Sequence, residues 1–75
     1  MCQVRDEEKR IKEDMVMFDE NIVKAIGKTE RENMIIDLAT RYRKDAGYYL
    51  EKKDYVTSFG CINYAHGLLD ALIKY

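Results

Sequence analysis

His66, the only histidine of this 75-residue chain, lies three residues after Asn63 and four before Asp70. On a helix that spacing puts all three side chains on one side. An imidazole titrates near neutral pH, and a neighbouring carboxylate can orient it, so such a pair could move a proton. Tyr42 and Asp45 are expected to face them from a preceding helix, with Asp45 level with Asn63. Tyr42, Asp45, Asn63, His66 and Asp70 are thus the one constellation in the sequence with the means for chemistry. No electrophile stabiliser accompanies them. The expectation is a buried polar network, with His66 bonded to Tyr42 or Asp70 and Asn63 bonded to Asp45. Such a network fixes helix register when every member is satisfied.

Other reactive groups are sparse. Ser58 is the sole serine, eight residues before His66, and no acid is placed to orient a nucleophilic pair. Cys2 and Cys61 form no CxxC, and two cysteines so far apart suit a reducing, cytoplasmic setting. A structural zinc site takes four Cys or His ligands, whereas the chain owns three such residues. There is no glycine-rich phosphate loop and no nucleophile elbow. The sequence therefore predicts no enzyme activity, no metal and no cofactor.

The elements that must carry these residues follow from apolar spacing. A chain this short leaves no room for a second core, so residues 1–75 are expected to form a single domain. Val4, Ile11, Met15, Phe18, Ile22, Ala25 and Ile26 recur at helical steps, and Gly27 follows as a C′ residue. Helix 1 is expected over about 4–26. Thr29 and Glu32 make a capping box for a second helix over about 30–52. Its stripe is Ile35, Leu38, Ala39, Tyr42, Ala46, Tyr49 and Leu50. Asp54 caps a third helix over about 55–74, whose stripe reads Tyr55, Phe59, Ile62, His66, Leu69 and Ile73. Short connections make neighbours antiparallel, so the predicted fold is all-α, an up-down-up three-helix bundle. In that register Tyr49 lies by Phe59, Ala46 by Ile62, Tyr42 by His66 and Ile35 by Ile73.

Charge is spread unevenly over these helices. Thirteen Lys and Arg against fourteen Asp and Glu give a net charge of −1, which disfavours general attraction to nucleic acid. A local alternative is a nucleic-acid or nucleotide accessory role using Arg41, Arg43, Lys44, Lys52 and Lys53. Residues 55–75 hold only Asp70 and Lys74 as charged side chains. A helix so weakly polar is usually covered on more than one side. Gly60, Tyr64, Gly67 and Ala71 step by four, three and four along it, with Leu68 beside them. These residues pack against helix 1 or form an interface with a second copy or another protein. The second reading predicts a homodimer built on helix 3. Val16 and Val23 project off the stripe of helix 1, and Tyr48 and Tyr64 are further candidate contact residues. No segment is apolar enough to span a bilayer, and residues 1–14 resemble neither a secretory signal nor a transit peptide.

The stretch from Arg41 to Ala71 resembles the archaeal domain of unknown function 357 family. The resemblance rests on Tyr42, Asp45-Ala46, Tyr48-Tyr49-Leu50, Asp54-Tyr55, Tyr64-Ala65, Gly67-Leu68 and Asp70-Ala71. It implies a compact three-helix bundle in an archaeal cell and brings no activity, substrate or catalytic residue. The alpha-hairpin rhythm is also similar, more loosely, to HEPN nucleotide-binding domains. Their ribonuclease members carry Arg or Asn four to six positions before a histidine. Here Gly60, Cys61 and Ile62 occupy those positions, which argues against ribonuclease activity.

Overall fold

A computed structural model describes the backbone of residues 2–74 and the side chains of residues 6–73. The described residues form three helices: α1 (Cys2–Ile22), α2 (Glu30–Glu51) and α3 (Tyr55–Lys74). They pack against one another as an antiparallel bundle 46 Å long and 18 by 15 Å across. The all-α, three-helix reading of the sequence holds. α2 and α3 form the most extensive pairing, and α1 lies mainly against α3.

The helix boundaries come from local chemistry. Thr29 is extended (φ −123°, ψ 163°); its hydroxyl accepts the Glu32 amide at 3.1 Å while the Glu32 carboxylate accepts the Thr29 amide at 3.2 Å. That reciprocal box satisfies two amides that the first turn cannot. At the other end of α2 the chain turns through Lys53, whose φ of 65° is the only positive value among the described non-glycine residues. The Asp54 amide reaches the Tyr49 carbonyl at 2.9 Å and the Lys53 amide reaches Leu50 at 3.0 Å. This is a Schellman closure with lysine where glycine is usual. Asp54 then caps α3, accepting the Thr57 amide at 3.2 Å.

Two sequence expectations need correction. α1 stops at Ile22 rather than Ile26, and Gly27 has no positive φ. The helix closes at Ile22 in a tightened turn, with the Lys24 amide on the Asn21 carbonyl at 3.0 Å and the Ala25 amide on the Ile22 carbonyl at 3.1 Å. Ending at Ile22 frees residues 23–29 for the crossing and lets Ala25 fold back on the core, while Ile26 is left exposed. A β-carbon at position 27 would displace the end of the exposed Asn33 side chain.

The second correction concerns the buried side of α3. Phe59 and Ile73 are 44% and 40% exposed, whereas Ser58, Ile62, Ala65 and Leu69 are fully buried. α3 faces two neighbours at once, so its buried sector is centred between them. That sector includes the one serine, whose hydroxyl donates to the Ala46 carbonyl of α2 at 2.6 Å. A polar residue satisfied in this way costs little to bury. Phe18 and Ile11 of α1 and Ala39, Ala46 and Leu50 of α2 complete the core.

Candidate functional site

The five polar residues singled out in the sequence do not assemble into a buried network. Asp45 and Asn63 are exposed. Tyr42 turns its ring onto Tyr64, stacked at 4.6 Å between centroids with 26° between planes. His66 bonds neither Tyr42 nor Asp70. Its Nε2 donates to the backbone carbonyl of Asp14 on α1 at 2.8 Å, and its ring meets Phe18 edge-on at 5.9 Å. That bond places the ring proton on Nε2. The register expectation therefore fails at Tyr42 and His66. His66 lies on the α1 flank of α3, where the Asp14 carbonyl of α1 supplies its acceptor.

His66 is thus a clamp between α1 and α3, one of three polar contacts that hold α1 down. Glu8 makes the second, at the end of the bundle near the α2–α3 turn. Its carboxylate accepts the Tyr55 hydroxyl at 3.0 Å, with Lys12 at 3.1 Å and Lys53 at 3.6 Å. The Lys12 hydrogen bond first, then that of Tyr55 and the Lys53 charge, hold the Glu8 carboxyl below its usual range. Partial burial, followed by the nearby Glu8 carboxylate, pushes the Tyr55 hydroxyl up. The third contact is bidentate, with Arg43 Nε and Nη2 of α2 each 2.9 Å from an Asp19 oxygen. None of these contacts was foreseen. Each depends on which flank of α1 meets which neighbour, and helical spacing alone does not set that.

Crevices lie along the helix seams. One of about 200 Å³ between α1 and α3 is lined by Glu7, Arg10, Ile11, Tyr55, Val56 and Phe59. Neither His66 nor Asp70 lines it. Among the described residues, no three His, Cys, Asp or Glu side chains converge as metal ligands. Cys61 is half-buried, and burial, with Asp45 and Asp54 adding to it, raises its thiol pKa. A thiol so placed is a poor nucleophile at neutral pH. No helix of the described residues is long and apolar enough to cross a membrane.

The small-residue stripe of α3 points outward. Gly60, Gly67 and Ala71 are exposed, Tyr64 is 56% exposed and Leu68 packs partly against the core. A β-carbon at Gly60 or Gly67 would meet nothing within 4 Å, so neither glycine serves close packing against helix 1. Of the basic residues of the second helix and its turn, Arg43 is held by Asp19 and Lys53 lies near Glu8. Lys52 sits 5.4 Å from the centre of the exposed Tyr48 ring.

Residues 13–75 match the family described as Protein of unknown function (DUF357). No curated protein matches the chain.

Proposed function

The chain belongs to the DUF357 family, and we propose that it is a non-catalytic helical interaction module that works through α3. Its partner is a second copy of the chain or another protein, met in the reducing interior of the cell. The observation that carries this reading is the outward side of α3, where Tyr64 is exposed and the space over Gly60 and Gly67 is open. Between Tyr55 and Leu69 this helix has no charged side chain. The absence of catalysis is supported by the use of His66, whose Nε2 is spent on a backbone carbonyl.

Light scattering across a dilution series tests the self-associating form of this reading. The expected result is a mass above that of the 8.9 kDa chain, falling on dilution. A mass of one chain at every concentration overturns self-association. The nucleic-acid reading is the weaker one, because Arg43 and Lys53 already face carboxylates of α1. No mobility shift of labelled RNA or DNA is expected even at about 50 mM salt, where phosphate contacts are strong.

A further inference from the structure

α1 covers only one side of the α2–α3 hairpin. On α2 it takes the flank of Arg43 and Gly47, where a β-carbon at Gly47 would lie 3.5 Å from Met15. On α3 it takes the flank of Tyr55 and His66. The opposite side of the hairpin is left uncovered by α1, and its α3 half is uncharged. Leu38 is 39% exposed there, and the stacked Tyr42 and Tyr64 rings close the seam between the helices. Gly60, Gly67 and Ala71 run along its α3 edge.

Resting on the interaction reading above, we infer that this two-helix face is an isologous interface, and that its occupant is the same face of a second copy. Charge selects that occupant. The α3 half of the face has no charge between Tyr55 and Leu69, so a charged partner finds nothing there to pair with. The α2 edge carries opposite charges one turn apart, Arg41 and Asp45. Both are exposed, and neither is ion-paired among the described residues. A second copy laid antiparallel sets each Arg41 opposite an Asp45 of the other copy and neutral strip against neutral strip. A partner of one sign gains at one position and is repelled at the other. The glycines fit the same picture. Each costs about 1 kcal/mol in a helix relative to alanine, and none of the described residues uses the space over them. Hollows at Gly60 and Gly67 can receive the tyrosine ridge of the facing copy, and the two-fold relation makes both sets of contacts equivalent.

The test is sedimentation equilibrium on the full chain and four variants, each checked for native helical circular dichroism. The native chain is expected to be a dimer that dissociates on dilution. Gly67→Glu should give a folded monomer. Val16→Glu, on the exposed outer side of α1, should leave the dimer intact. Arg41→Asp should weaken the dimer roughly tenfold through two rim pairs, and adding Asp45→Arg should restore it. A dimer broken by Val16→Glu but not by Gly67→Glu overturns the face while leaving self-association standing. Failure of Asp45→Arg to restore the dimer overturns the antiparallel register. A native chain that is monomeric at every concentration overturns both this interface and the self-associating reading.

Discussion

Lys53 holds a backbone conformation in which its own β-carbon is crowded, at φ 65°. Relieving that crowding should stabilise the fold, since a left-handed residue costs about 1–2 kcal/mol relative to glycine. Lys53→Gly is therefore expected to raise unfolding stability by about 1 kcal/mol in urea titration, despite losing the solvent-exposed contact with Glu8. His66 and Asp70 separate in the same assay. His66→Ala removes the Asp14 bond and the Phe18 edge contact and should cost about 1–2 kcal/mol. Asp70→Ala should stay within about 0.5 kcal/mol of the parent, as a residue outside any such contact. Glu8 gives a pH signature. Its folded pKa is depressed by Lys12, Tyr55 and Lys53, so its contribution is complete above the ordinary carboxylate range. That contribution is lost as pH falls through the depressed value. The stability gap between the parent and Glu8→Gln should therefore close on acidification and stay open at neutral pH. Spacing placed His66, Asn63 and Asp70 on one helix, yet the partner of His66 is a backbone carbonyl. Backbone acceptors leave no mark in a sequence.

At the scale of the helices, the caps were legible because they are local. Thr29, Glu32 and Asp54 act on amides within four residues, and the types needed at those offsets are few. Thr29→Ala should cost about 1 kcal/mol, and Glu32→Ala a smaller amount, when measured by thermal unfolding. The end of α1 was not legible. Ala25 and Ile26 continue the apolar period beyond Ile22, yet in the packed chain Ala25 lies on the core and Ile26 is exposed. The buried side of α3 was displaced for a related reason. An apolar period reports one face, but α3 has two neighbours, and the bisector between them passes through Ser58, a residue whose type points outward. Leu69→Ala, on that bisector, should cost about 2–5 kcal/mol, whereas Phe59→Ala should cost much less because its ring is half in water.

For the molecule as a whole, α2 and α3 form the broad pairing, and α1 is attached through Ile11, Phe18 and three polar contacts. Local opening should follow that division. Amide hydrogen exchange in α1 is expected to precede exchange in the middle of α2 and α3, with residues 23–29 exchanging first. Arg43→Ala should widen the difference, since it frees α1 from α2 without touching the hairpin core. The bidentate pair is partly exposed, so the change should be about 0.5–1 kcal/mol. This asymmetry is the feature on which the proposed interaction role rests. One side of the hairpin is filled by the chain itself, and the other retains its tyrosines and glycines.

By itself the sequence determined the helix count, the caps, the antiparallel order and the charge-poor character of the third helix. All of these depend on residue type at short separations, where periodicity and capping chemistry act. Only the tertiary structure decided which flank of each helix meets which neighbour. That choice sent His66 to the Asp14 carbonyl, Arg43 to Asp19 and the Gly60–Gly67 stripe to solvent. It also broke up the polar group expected around His66. Burying three helices against one another fixes rotations that no single helix encodes, because each rotation is a compromise between two contacts.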